Sequence, residues 1–204
     1  MLRLRLLGVG AMKSPRFAPA GLLVEHDKHR VMLDGGPGSA PQGELEAWLV
    51  TDERCELMSR IRQLAKGRDL QPAVATYRTQ GLELRPLPVV HTSHPAFGYL
   101  IKAAGKKIVW APEFFRFPRW AAGADLMFAE GAGWNRPIHF AGNVGGHACV
   151  LDVARDARRS GVRRLVFAHI GRPTVRAIDA GFRAPFGELG DDGRTYVVRG
   201  RTDP

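Results

Sequence analysis

Ala47-Trp48-Leu49-Val50-Thr51-Asp52-Glu53-Arg54-Cys55-Glu56-Leu57 is an apolar run that ends in a dense polar cluster and passes into a new pattern. Ala47 to Val50 with Thr51 read as a short buried strand. From Asp52 onward the apolar positions become Cys55, Leu57, Met58, Ile61, Leu64 and Ala65, which is helical spacing. A strand that stops at a Thr-Asp step and turns into a helix puts Asp52, Glu53, Arg54 and Glu56 at its carboxyl end, where α/β proteins place their chemistry. A plain helix start suits the same residues, with Asp52 as N-cap and Glu53 and Glu56 in a first turn that favours negative charge.

Working outward, Leu2, Leu4 and Leu6 alternate with Arg3 and Arg5 as in a half-buried strand, and Gly21 to Glu25 and Val31 to Asp34 form a hairpin closed by Gly35-Gly36-Pro37-Gly38. Downstream, Leu70 to Gln80 is poorly patterned and reads as a short helix or strand. Leu82 to Val90 leads to His91-Thr92-Ser93-His94, and Phe97 to Ala103 and Lys107 to Ala111 are strands, the second followed by Pro112-Glu113. Phe114 to Ala121 reads as a short helix broken at Pro118, and Ala124 to Ala129 as a strand ending in Glu130. Gly145-Gly146-His147 is expected to open a helix with apolar positions Val150, Leu151, Val153, Ala154 and Ala157. Arg164 to Ala168 is a strand ending in His169, Thr174 to Ala180 a helix, and Tyr196 to Val198 a last strand.

The length of 204 residues suits one well-buried domain and is short for two, so a single domain over 1–204 is expected. The 45% hydrophobic and 25% charged residues are those of an ordinary globular chain. The apolar runs are too short for a membrane span, and Met1-Leu2-Arg3-Leu4-Arg5 lacks the unbroken apolar core of a secretory signal. A cytoplasmic location without membrane contact is the expectation. Cys55 and Cys149 lack metal or redox spacing and read as buried thiols. The net charge of +10 admits a nucleic-acid or other phosphate-bearing partner. Because the arginines are scattered along the chain, nucleic acid is not the favoured partner.

One pattern recurs: a strand ends and an ionisable residue stands at its tip. Asp52 and Glu56, His91 and His94, Glu113, Glu130 and His169 all follow it, and His147 stands at a predicted helix start. Neighbouring strands bring their tips to one rim, and several His and carboxylates there match the ligand set of a metal site.

In their order along the chain, Leu6-Leu7-Gly8-Val9-Gly10, Val31 to Gly38, the strand ending in Val50-Thr51, His91 with Phe97-Gly98-Tyr99-Leu100, Val109 to Glu113, Ala124 to Glu130, Gly146-His147 and Leu165 to His169 resemble the metallo-β-lactamase-fold hydrolases. The likeness is to the ribonuclease Z and cyclic phosphodiesterase branches in particular. It implies an αββα sandwich of two mixed β-sheets flanked by helices, with the site on the rim between the sheets. Members carry Thr-His-x-His-x-Asp-His at the first strand end, where this chain reads Thr51-Asp52-Glu53-Arg54-Cys55-Glu56-Leu57. Asp52 and Arg54 stand where the first two histidines belong, Glu56 replaces the Asp, and Leu57 the third histidine. His91, Glu113 and His169 match the later ligands, and Glu130 and His147 match a pair used for proton transfer.

A guanidinium cannot deprotonate to bind a metal, so a two-metal centre is not expected. Asp52, Glu56, His91, Glu113 and His169 remain as ligands for at most one divalent ion of the Zn, Mn or Fe kind. In the rival arrangement Arg54 takes the place of a metal and pairs with Asp52, Glu56 or Glu113. The resemblance then implies a divergent metal-dependent hydrolase of a phosphodiester or other ester, with His147 and Glu130 handling protons. Its substrate would be a small or nucleotide-like anion touching Arg54, His94 and Arg172. The alternative is a catalytically silent protein that binds an anionic ligand in a pocket lined by Arg54, Arg172 and Arg176. The oligomeric state is left open.

Overall fold

Alternation in the first strand sets the architecture: Leu2, Leu4 and Leu6 are fully buried while Arg3 and Arg5 face solvent. The computed structural model describes residues 1–199. Strands β1 (Leu2–Gly8), β2 (Gly21–His26), β3 (His29–Asp34) and β4 (Ala47–Leu49) precede helix α1 (Met58–Lys66). Strands β5 (Tyr77–Thr79), β6 (Leu82–Val89), β7 (Ala96–Ala103), β8 (Lys106–Ala111) and β9 (Leu126–Gly131) follow. The short pair β10 (Ile138–His139) and β11 (Gly146–His147) leads to helix α2 (Val150–Arg159), strand β12 (Leu165–Ile170) and helix α3 (Arg172–Asp179). Strands β13 (Glu188–Leu189) and β14 (Thr195–Val198) come last.

The strands form a five-stranded sheet in the order β14-β1-β2-β3-β4 and a seven-stranded sheet in the order β13-β12-β9-β8-β7-β6-β5. Both are mixed: β3 and β4 pair in parallel, as do β8, β9, β12 and β13, and the remaining pairs are antiparallel. Period-two alternation sorts the side chains into layers. Leu22, Val24, Val31 and Leu33 of one sheet meet Ile101, Ile108, Trp110 and Phe128 of the other in the central core. Leu23 and Met32 point outward to Met58, Ile61 and Ala65 of α1. On the far side, Val109, Ala111, Met127 and Ala129 face Val150, Val153 and Ala157 of α2. Burying a Leu or Phe of this kind contributes about 1.5–3 kcal/mol. The result is the expected αββα sandwich.

Three local expectations are corrected. The segment 52–57 is a turn, and α1 begins only at Met58 with no side-chain cap. Asp52 Oδ1 accepts the Arg54 amide at 2.7 Å, so the carboxylate closes a tight turn in competition with a helix start. Gly145 and Gly146 do not open a helix: their φ values of 146° and 155° lie outside helical space. Gly146–His147 pairs instead with Ile138–His139, and a β-carbon on Gly145 would stand 1.9 Å from the His91 carbonyl oxygen. Phe114 to Ala121 contains a single 3-10 turn at Arg119–Ala121, because Pro118 before it is extended with ψ 115°. The poorly patterned 70–80 stretch holds the short strand β5. Among the described residues no helix is long and apolar enough to cross a membrane.

Candidate functional site

Parallel strands deliver their carboxyl ends to a common rim, and there the tip residues meet. His91 and Glu113 follow β6 and β8, Glu130 is the next-to-last residue of β9, and His169 the next-to-last of β12. At His169 the ladder to β9 skips a register step between Ala168 and Ile170, and its backbone is left-handed with φ 55°. A bulge of this sort re-aims a side chain, and here it serves a cavity-lining imidazole. The Ile170 amide donates to the Val9 carbonyl at 2.6 Å and the Ala11 amide to the Ile170 carbonyl at 3.1 Å. These bonds join the two sheets beside the site.

The cavity has a volume of about 530 Å³. Asp52, Arg54, Glu56, His91, His94, Glu113, His147, His169 and Arg172 all line it, while Glu130 lies behind its wall. Arg176 is exposed on α3 and outside the cavity lining. At the centre, Glu113 spans two imidazoles: Oε2 is 2.9 Å from His91 Nε2, and Oε1 is 3.6 Å from His169 Nε2. Behind each ring the other nitrogen is also fixed. His91 Nδ1 is 2.9 Å from the Gly146 carbonyl oxygen, and His169 Nδ1 is 3.1 Å from Glu130 Oε1. Glu130 is fully buried and accepts four bonds, from the Ala132 and Phe114 amides, His169 Nδ1 and His147 Nδ1, the last at 2.8 Å.

These contacts set the charges. Burial opposes an imidazolium at His169, yet the charges of Glu113 and Glu130 outweigh it and push the ring up to about 9. Burial likewise opposes charge on His91, and its hydrogen bond to Glu113 reverses the direction to a raised value. Burial would lift Glu113, but the charge of His169 and the bond from His91 hold it well below the carboxylate range. Glu130 is also lowered, because the charges of His147 and His169 overcome its desolvation.

Among the described residues the ligand atoms of His91, Glu113 and His147, and of Glu130, His147 and His169, lie within 4.8 Å of one another in each group, and the two Glu113 oxygens link His91 to His169. The donor chemistry fits a divalent metal. Ligating histidines need the second nitrogen anchored by a carbonyl or carboxylate, and both His91 and His169 have that anchor. Asp52 and Glu56, expected as ligands of the same ion, belong to neither group. Asp52 is 9% exposed and its Oδ2 is held 2.8 Å from His94 Nε2, Glu56 is an exposed residue of the cavity wall, and Leu57 packs with the α1 cluster.

Arg54 departs from expectation. Its side chain is exposed and makes no ion pair with Asp52, Glu56 or Glu113 among the described residues. The turn that Asp52 closes uses the Arg54 amide and leaves the guanidinium to solvent at the cavity wall, so it does not stand in for a metal.

Two participants escape a sequence reading. Asp34, left-handed with φ 53°, accepts the Thr51 amide at 2.7 Å, the Thr51 hydroxyl at 2.9 Å and the Trp110 indole at 2.7 Å. Burial pushes its carboxyl up to about 6. The strand-tip rule that picked out the other residues would have found it. Phe140 packs edge-on against His91 and His147 with centroids 5.4 and 5.2 Å away, and nothing in the sequence marks it.

Comparison with known proteins agrees with this geometry. Residues 39–170 match the model of the "Beta-lactamase superfamily domain" family. The metallo-beta-lactamase fold protein YhfI from Bacillus subtilis superposes with a TM-score of 0.73 at 14% identity, over 97% of this chain and 100% of that one. A diphosphatase from the PhnP family gives 0.71 at 15% identity, over 96% of each chain. Zn(2+)-bound PqqB from Methylobacterium extorquens gives 0.68 at 14% identity, over 96% of this chain and 100% of that one. No curated protein sequence matches the chain. With the family model covering more than half of its length and its sheets stacked as in these structures, the chain belongs to the β-lactamase superfamily and has the metallo-β-lactamase fold.

Proposed function

We propose that the protein is a hydrolase of a small anionic phosphodiester or related ester, working with one divalent metal ion held by His91, Glu113 and His169. One observation carries the reading: Nδ1 of both histidines is anchored, by Gly146 and Glu130, so that both Nε2 atoms turn to the Glu113 carboxylate. Two imidazoles and a carboxylate with open positions suit Zn, Mn or Fe. The diphosphatase and the Zn(2+)-bound PqqB among the structural neighbours support it.

The ion, when bound, supplies Lewis acidity at the scissile group. His147 is oriented through Nδ1 by Glu130 and delivers a proton to the leaving oxygen. Arg54 and Arg172, exposed at the cavity wall, attract an anion, and Phe140 keeps water off the His91 and His147 rings. A cavity of about 530 Å³ holds a nucleotide-sized molecule better than a polymer.

Elemental analysis of protein purified without chelator, with hydrolysis of bis(p-nitrophenyl) phosphate, is the test. The expected result is close to one equivalent of metal and a rate that chelation abolishes. Two equivalents would overturn the one-ion reading. No metal and no turnover would leave the protein as a silent binder of anions.

A further inference from the structure

We propose that Asp52 and His94 form a second proton-transfer dyad of the cavity, in which His94 Nδ1 takes the proton of the attacking water and Asp52 positions the ring. This rests on the hydrolase reading above. The pair is built from fixed parts. Asp52 Oδ1 is tied to the Arg54 amide at 2.7 Å, and Oδ2 lies 2.8 Å from His94 Nε2. An ionised carboxylate only accepts, so Nε2 carries the hydrogen and the lone pair is on Nδ1. His94 lines the cavity with 23% of its side chain exposed, and no described residue bonds to its Nδ1.

The loop beneath it is held as well. The Thr92 hydroxyl donates to the His94 carbonyl at 2.9 Å, and the Phe97 amide donates to the Thr51 carbonyl at 2.9 Å. The loop carrying the imidazole is thereby fastened to the strand end carrying the carboxylate.

Glu130 and His147 form the matching pair, joined through Nδ1 at 2.8 Å, so the two dyads leave opposite ring nitrogens free. Hydrolysis needs one proton removed and one delivered. As the water oxygen bonds to phosphorus or the carbonyl carbon, its proton passes to His94 Nδ1. The bond to the leaving oxygen breaks with its electron pair, and that oxygen takes the proton held by the His147 imidazolium. One water is consumed, and exchange with solvent returns both rings to their starting forms. Asp52 occupies the position where the resemblance places a histidine of the first motif, and in this chain it serves His94.

Bis(p-nitrophenyl) phosphate and diphenyl phosphate, which differ in leaving group, separate the two roles. His94→Gln is expected to lower kcat by about 100-fold or more on both, the loss of a general base. His147→Gln should cost little with the p-nitrophenolate leaving group and far more with phenolate. Asp52→Asn should lower kcat with KM near that of the parent, and added imidazole should restore part of the rate of His94→Ala. The Asp52 and His94 variants should keep the parent's metal content, and nitrogen-15 NMR should show the His94 ring as the Nε2–H tautomer in the parent but not in Asp52→Asn. A parent rate in His94→Gln, or loss of metal from it, overturns the dyad while leaving the hydrolase reading in place. A parent protein that cleaves neither ester overturns both.

Discussion

Glu130 holds His147 Nδ1 at 2.8 Å from a position with no solvent exposure, so a fully buried carboxylate aims a ring that lines the cavity. Its four donors make Glu130 a structural hub.

Glu130→Gln is therefore expected to destabilise the protein by about 2–4 kcal/mol, because an amide can accept at one position only and strands donors that the carboxylate satisfied. Urea unfolding measures it. A change below about 0.5 kcal/mol would show that the buried bonds do not form.

The histidine network gives the metal-free protein a definite pH dependence. His169 is raised from 6.5 to about 9, so its contribution is complete below pH 6.5 and is lost as pH climbs through about 9. Glu113 is lowered from 4.5, so its contribution is present above that value and is lost as pH falls toward its folded one. The melting temperature of chelator-treated protein should fall between pH 6.5 and 9, and this slope should flatten in His169→Gln. An identical slope in the variant would assign it to other groups.

Gly145→Ala tests the backbone seat of His91. A β-carbon there would lie 1.9 Å from the His91 carbonyl oxygen, on a residue with φ 146°. Strain of this kind costs about 1–3 kcal/mol, and the displaced His91 should weaken metal binding at least tenfold. Calorimetric melting and metal titration read the two effects, and parent values for both would remove Gly145 from the support of the site.

Cys55 lines the cavity in surroundings that disfavour a thiolate. Burial, with the charge of Asp34 adding to it, pushes its thiol up to about 12. Native protein at pH 7.5 should resist iodoacetamide at Cys55 for hours, with labelling appearing on unfolding. Rapid labelling of Cys55 in the native state would contradict that environment.

Much of this was legible in the sequence because strand tips are marked by residue type. Leu2, Leu4 and Leu6 announced a two-faced strand, and His91, Glu113 and His169 fell on one rim because β6, β8 and β12 run the same way. What stayed hidden was decided by contacts across the fold. Gly145 and Gly146 look like a helix start until the chain is seen pressed against His91. The rival arrangement paired Arg54 with Asp52, Glu56 or Glu113, whereas the Asp52 turn uses its amide. The partner of Asp52 is His94, 42 positions away, and no local pattern encodes such a pairing.

Leu57 constrains what its position can hold. Its side chain packs with the α1 cluster, and a β-carbon on Gly36 would lie only 3.3 Å from its Cδ1. A histidine there would place an imidazole in an apolar seat, which costs stability. An Asp52→His change made first would in turn strip His94 of its partner. The two positions are thus coupled to different neighbours, and neither can take a histidine without disturbing a contact the fold already uses.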